Sequence, residues 1–440
     1  MILIGCLLLL SILGIVFIVF LTPNDYNDEY ITSENRHQRN ARISSQRREF
    51  WQSVTREQIL KDFDYLIYVL EANFPFFDLV YRRDGLNIRE YAQKVRYRLA
   101  GEDRIVDAQV LYLELETFFR TINTGHISVV DRNMYLYLMN YVIENPDSDW
   151  SLFWVDLLAG NQNTALFYGE FNDDDLSDRV AWWARMWEVP INASFNIIQD
   201  YKIAYIGFPI MLVASDSDRE NFNNFYNQIS NFEHLIVDIR GNPGGWPHSF
   251  HELITSPHID YPIYQTDLSF YKGGAANLQY LDFVLSNLEE RLAVYLFNND
   301  EYLITSNLEI FDYYHIGVFY AIYPSNQNEV QSNFNGQIWL LIDENSLSGA
   351  EHIASFYKQK NLAIIVGSRG GGHYMDPHLL RNFVTLPNTG IIFGFDIGYP
   401  ICPATGRSLE KGTPPHFYNF EDMDALETTL ELIKRGVYRY

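Results

Sequence analysis

Ser348 is followed three residues later by Glu351 in the stretch QIWLLIDENSLSGAEHIASFYKQKNLAIIVGSRGGG, which runs from Gln337 to Gly372. Ile338 to Asp343 is a short apolar run with β-branched residues, long enough for one buried strand, and Asn345 and Ser346 break it. From Ser348 the pattern turns helical, with Ala350, Ile353, Ala354 and Tyr357 on one face. Leu362 to Val366 reads as a second buried strand, ended by Gly367. Ser348 therefore belongs where a strand's carboxyl end becomes a helix amino end. The first N–H groups of a helix lack intrahelical partners, and the helix dipole is positive there. An oxyanion developing beside Ser348 would meet ready donors, notably the N–H of Gly349. A nucleophile is one reading of that position; a plain helix N-cap, the commoner role of serine, is the other.

Other residues could do chemistry, each with a blander reading beside it. His126, in TINTGHISVV, falls where a helix gives way to an extended stretch; its pKa permits general base catalysis, although a lone histidine is usually structural. Pro243-Gly244-Gly245 closes a strand and would let backbone N–H groups approach a carbonyl, or would simply turn the chain. Gly370-Gly371-Gly372 lacks the Lys-Ser/Thr and helix of a phosphate loop. His373 and His378 are too isolated to define a metal site, and Asp173, Asp174 and Asp175 lack calcium-loop spacing. The expected reaction needs no cofactor.

The elements that must position these residues belong to a large globular chain. Its 440 residues allow two or three domains, and 47% hydrophobic with 20% charged residues excludes disorder. A net charge of −24 argues against nucleic acid, which needs a basic stripe. Two cysteines, Cys6 and Cys402, cannot build a disulfide framework or a thiolate zinc site. Met1 to Leu21 carries no charged side chain and matches the ~20 apolar residues of a membrane span. Its length, and the poor cleavage context at Pro23-Asn24-Asp25, favour an uncleaved anchor over a cleaved signal. Leu3-Ile4-Gly5-Cys6 looks like a lipoprotein box but stands before its apolar run instead of after it.

Along the chain, 23–50 reads as a polar stalk. Thr55 precedes a helix with Ile59, Leu60, Phe63, Leu66, Ile67 and Leu70 in period, ended at Pro75. Further helices are expected over Ile88 to Leu99 and Asp107 to Ile122. Residues 127–197 resist assignment. From Tyr201 an α/β pattern takes over: a strand to Phe208, a helix from Ser217 to Phe232 with Ser217 and Glu220 at capping-box spacing, and a strand from His234 to Ile239. Residues 246 to 256 look helical, 257 to 335 look irregular and aromatic, and a final helix covers Met423 to Lys434.

Three separated motifs resemble those of the C-terminal processing and tricorn-type serine peptidases. LIVDIRGNPGGW (Leu235 to Trp246) resembles their strand and glycine loop, NSLSGAEHIA (Asn345 to Ala354) their nucleophile motif, and LEKGTPPHF (Leu409 to Phe417) their closing motif. The resemblance runs from about residue 55 to the C-terminus. In the C-terminal processing branch a lysine base stands where this chain has His373, so a Ser–Lys dyad is not expected, and His373 is the alternative base. The tricorn-like branch takes a histidine from just after the N-terminal helices and a glutamate from the closing motif. His126 and Glu410 match those positions. The resemblance thus implies Ser348 as nucleophile, His126 as general base and acid, and Glu410 orienting the imidazole. It places the oxyanion hole at Gly349 with Gly244 or Gly245.

It also implies an α/β fold, the ββα-spiral (crotonase/ClpP-like) peptidase core with an N-terminal helical subdomain. The expected organisation is an N-terminal anchor or signal at 1–22, a stalk at 23–50, a helical subdomain at 51–126, an unassigned insert at 127–197 and the catalytic domain at 198–440. The expected activity is serine-type hydrolysis of protein or peptide substrates through an acyl-enzyme, outside the cytoplasm and tethered to the membrane or secreted. A non-catalytic binding protein on the same fold and an esterase-like hydrolase with the same triad are the alternatives.

Overall fold

The structure is a computed structural model that describes residues 44–101, 105–124, 126–145, 149–169, 190–199, 202–287, 293–295, 313–325, 330–372, 381–402, 407–408 and 412–437. The apolar segment 1–21, the acidic cluster at 173–175, His373, His378 and Glu410 lie outside them. Among the described residues no helix is long and apolar enough to cross a membrane.

After a helical stretch at 44–53, which reaches into the end of the expected stalk, the elements in chain order are helices α1 (Arg56–Asn73), α2 (Phe77–Asp84), α3 (Ile88–Ala100) and α4 (Ala108–Ile122), then β1 (Ser128–Val129), α5 (Arg132–Glu144), α6 (Asp149–Ala159) and α7 (Gln162–Tyr168). There follow β2 (Ser194–Gln199), β3 (Ile203–Gly207), α8 (Asp216–Ile229), β4 (His234–Asp238), α9 (Pro247–Phe250), β5 (Ile263–Lys272), α10 (Ala275–Asn287), β6 (Ala293–Tyr295) and β7 (Tyr313–Ile322). The last are β8 (Gln337–Ile342), α11 (Gly349–Gln359), β9 (Ile364–Gly367), β10 (Asn382–Thr385), β11 (Ile392–Phe395), β12 (Tyr399–Cys402), β13 (Arg407–Ser408), β14 (Phe417–Tyr418) and α12 (Ala425–Lys434). The chain divides into two compact units, each discontinuous in sequence. Unit 1 holds residues 1–184, 272–287 and 381–397; unit 2 holds 185–271, 288–380 and 398–440.

Unit 1 starts from the helix that Thr55 caps. Thr55 and Gln58 form a capping box, each side chain satisfying the other's backbone N–H. Ile59, Phe63, Leu66, Val69 and Leu70 then bury one stripe of α1. On that buried side stands Asp62, whose carboxylate accepts four hydrogen bonds from the backbone and side chains of Asn388 and Thr389. Those two residues form the turn between β10 and β11, so α1 holds the antiparallel three-stranded sheet, ordered β1-β11-β10, by its hairpin tip. Residues 132–168, unreadable in sequence, form α5, α6 and α7; aromatics spread round α5 hide its helical period.

Unit 2 is built on a six-stranded sheet ordered β14-β9-β8-β4-β3-β2, parallel except for the antiparallel β2–β3 edge pair. Its central strands are apolar on both faces, as a doubly covered parallel sheet requires. Leu235, Val237, Leu340, Ile342 and Ile365 face one core, shared with Phe222 and Phe225 of α8 and with Ile353 and Phe356 of α11. Ile236, Trp339, Leu341 and Val366 face the other, shared with Ala425 and Leu432 of α12. A second sheet, ordered β13-β12-β5-β7-β6, corrects the reading of 257–335 as irregular. β5 and β12 pair across a long sequence separation, as Tyr399↔Phe270 shows, and aromatics at both parities mask the alternation.

The cap of α8 also differs from expectation. Ser215, not Ser217, occupies the N-cap and forms the capping box with Asp218, while Ser217 only bonds the Ser215 hydroxyl. Asp218 wins because its buried carboxylate also accepts the N–H of Ile191.

Candidate active site

In unit 2, β8 and β4 run side by side and deliver two loops to the same sheet end. After β4, Arg240 forks onto Asp238 and reaches Asp424 at the start of α12, and Tyr205 donates to the same Asp238. Asn242 is fully buried: its amide donates to the Phe208 carbonyl and its Oδ1 accepts the N–H of Gly244 at 2.8 Å. The loop is thereby held open, with Gly244 at φ +96° and Gly245 at φ +113°, values that favour glycine.

After β8, Ser346 bonds back to the Ile239 carbonyl, and the Leu347 N–H donates to the Asn242 carbonyl. Ser348 follows at φ +50°, ψ −114°, outside the ordinary range for a residue with a Cβ. It occupies the N-cap position of α11, yet its side chain makes no capping hydrogen bond. The hydroxyl is therefore not spent on the helix. Gly349 stands against the glycine loop: a Cβ there would lie 2.5 Å from the Gly245 carbonyl oxygen and 3.2 Å from its nitrogen. Ser348, Gly349, Gly244 and Gly245 are thus brought together. Of the two loop glycines, Gly244 turns its N–H to Asn242.

The glycine run after β9 completes this end of the sheet. The Gly371 N–H donates to the Ser346 carbonyl, and the Ser348 N–H donates to the Gly372 carbonyl at 3.1 Å. Glu351, one turn into α11 and fully buried, accepts from the Thr413 hydroxyl at 2.6 Å and from the Gly372 N–H at 3.4 Å. Burial pushes its carboxyl up to about 7, against those hydrogen bonds. Glu351, visible in sequence only as part of a motif, ties the glycine run to the helix that bears Ser348.

In unit 1, α4 ends at Asn123 in the left-handed region, and His126 repeats that conformation at φ +43° before β1 begins. The imidazole is one-third exposed, and its Nδ1 lies 2.6 Å from Oδ2 of Asp396, which is 2% exposed. The Asp396 charge and this hydrogen bond raise the His126 pKa, opposed by burial and by the nearby Arg381 charge. Arg381 itself donates to Ser128 and to the Gly394 carbonyl, on the two strands that flank the pair. Nothing in the sequence singled out Asp396. It closes the buried run IIFGF, and only strand register reveals its partner.

A doubly covered parallel sheet, a serine on a strained strand-to-helix turn and a glycine loop packed against it define the class, a hydrolase with a preorganised nucleophile position. The family model described as Peptidase family S41 matches residues 202–418. Over that segment the chain matches the family, and it is a serine peptidase whose substrates are proteins or peptides. It is similar to the solved structure of a candidate peptidase from Parabacteroides merdae ATCC 43184, at 14% identity and TM-score 0.49, over 85% of this chain and 96% of that one. It is similar to mature CPAF complexed with lactacystin, at 14% identity and TM-score 0.48, over 87% and 97%. The photosystem II D1 C-terminal processing protease is also similar, at 11% identity and TM-score 0.38, over 82% and 92%. No curated protein matches the chain.

Proposed function

We propose that this peptidase cleaves through an acyl-enzyme, with Ser348 as nucleophile and His126 as general base and then general acid. The observation that carries the reading is Ser348 itself: a serine held at φ +50° on a helix amino end, with its hydroxyl left unused by the helix. The Ser348 Oγ attacks the scissile carbonyl carbon while His126 Nε2 takes its proton. The negative charge on the carbonyl oxygen is met by the N–H groups of Gly349 and Gly245. Gly244, whose N–H serves Asn242, shapes the loop instead of donating. Collapse of the tetrahedral intermediate expels the amine, which takes the proton from His126, and water then releases the acyl group by the reverse sequence. The resemblance implies Glu410 as the carboxylate behind His126, and His373 as the alternative base.

The finer architecture belongs to the same proposal: the ββα-spiral form of the α/β core, with a helical subdomain before it. So does the site of action, outside the cytoplasm and tethered through the apolar segment 1–21. Its support is the absence of any charged side chain from that segment.

A fluorophosphonate probe tests the chemistry. Wild-type protein should be labelled at Ser348, Ser348→Ala should not, and His126→Ala should be labelled at least 10²-fold more slowly. Normal labelling of His126→Ala with loss in His373→Ala would transfer the base to His373. A folded wild type that takes up no label would instead favour a binding protein.

A further inference from the structure

We infer that Asp396 is the carboxylate that orients His126 in catalysis, the role the resemblance gives to Glu410. The inference rests on the proposed Ser348–His126 chemistry and names a positioning residue for it.

The argument begins with strand register. β1 and β11 pair antiparallel, with Ser128 opposite Gly394 and Val129 opposite Phe393. Continuing that register two residues beyond the strands sets position 126 opposite position 396. Asp396 directly follows β11 and His126 stands two residues before β1, so paired backbone lies close to both ends of the contact. The left-handed turn at His126 then aims the ring at the carboxylate, giving the 2.6 Å contact between Nδ1 and Oδ2.

That contact selects a tautomer. A carboxylate can only accept, so Nδ1 must carry the proton, and Nε2 is left as the acceptor a general base needs. As Nε2 takes the serine proton, the imidazolium forms beside a carboxylate that is nearly excluded from water, where its charge is weakly screened. Asp396 is itself held on both sides. β11 is anchored by the turn that Asp62 binds, and Arg381, buried next to the pair, sets a positive charge beside the carboxylate. The remaining carboxylate oxygen, Oδ1, is buried with no hydrogen-bond partner among the described residues, so the His126 contact is the one Asp396 is built to make.

The test uses the full chain with single substitutions. Asp396→Asn keeps the shape and should slow fluorophosphonate acylation by about 10²-fold or more, within the range seen when an orienting carboxylate is lost. In a Ser348→Ala background, NMR titration of His126 should move to lower pH in Asp396→Asn and stay put in Glu410→Gln. A merely structural Asp396 is recognised by a double-mutant cycle: Asp396→Asn should slow acylation little further once His126 is alanine, whereas a structural loss would add. An unmoved His126 titration overturns the inference, as does normal acylation by Asp396→Asn. So does a lowered titration in Glu410→Gln alone. If the wild type takes no label while His126 still responds to Asp396, the parent reading of Ser348 fails and the catalytic role of Asp396 falls with it.

Discussion

Gly244 approaches Ser348 so closely that a Cβ on the glycine would stand 2.8 Å from the serine's own Cβ and 2.6 Å from the Gly349 nitrogen. The neighbours it would strike are backbone atoms of the nucleophile turn and the Cβ of Ser348 itself, none of which can step aside as the tip of a flexible side chain could. Gly244→Ala should therefore displace Ser348 or Gly349 and slow acylation by about 10²-fold, the usual effect of a misplacement near 1 Å. Gly241, in the same loop at φ +69° but facing open space, is the control. Gly241→Ala should cost about 1 kcal/mol of stability for its backbone conformation and leave acylation unchanged. Equal acylation by the two variants would show that the loop does not shape the site.

Ser348 offers a test that separates a nucleophile from a cap by stability alone. A serine that caps a helix costs about 0.5–2 kcal/mol when replaced by alanine. Here the hydroxyl makes no capping bond, so Ser348→Ala should unfold within about 0.5 kcal/mol of wild type in denaturant, the range of a neutral substitution. Ser348→Gly, which relieves the positive φ, should be more stable than Ser348→Ala. A Ser348→Ala protein destabilised by more than 1 kcal/mol would restore the capping role.

These two residues also mark what could be read from sequence. The strand–turn–helix around Ser348 was legible because its apolar period switches from a continuous run ending at Asp343 to helical spacing from Ser348, and α1 was legible from Thr55 and its stripe. The carboxylate beside His126 was not. Asp396 lies 270 residues away, and its contact follows from the β1–β11 register, which no local pattern encodes. Glu410 was visible because it sits in a motif, whereas Asp396 sits in an ordinary buried strand end. The cap of α8 failed for a different reason. Two serines and two acids at adjacent capping spacings compete, and a tertiary hydrogen bond from Ile191 to Asp218 decides between them. The prediction is that Ser215→Ala costs about 1 kcal/mol and Ser217→Ala close to nothing, measured by chemical denaturation; the reverse order would return the cap to Ser217.

Asp62 should carry more stability than most buried residues of unit 1. Its carboxylate is the acceptor for two backbone N–H groups and two side chains of the β10–β11 turn. Asp62→Ala leaves the two buried Thr389 donors and the two half-buried Asn388 donors without this partner, at about 1–3 kcal/mol for each that water cannot reach. We expect a loss of at least about 3 kcal/mol by this reckoning, and faster amide exchange along β11, the strand that ends at Asp396. An unchanged midpoint would mean that water satisfies the turn.

Glu351 should make stability fall as pH rises through neutrality. Its carboxyl is pushed up to about 7 in the folded protein by burial, above its ordinary value near 4.5. A group whose pKa is raised on folding contributes its full stability below the unfolded value, and loses it as pH climbs through the folded one. The window therefore runs from about pH 4.5 to about pH 8, and the shift corresponds to roughly 3 kcal/mol at most. Glu351→Gln does not titrate. Compared with wild type, it should gain relative stability steadily across that window, with a constant difference below it. The hydrogen bonds from Thr413 and Gly372 pull the other way by favouring the carboxylate. If they dominate, the two melting curves will keep a fixed separation from pH 4.5 to 8, and Glu351 is then ionised throughout. A widening gap in favour of Glu351→Gln shows instead that deprotonation strains the link between α11 and the glycine run whose Gly372 carbonyl accepts the Ser348 N–H.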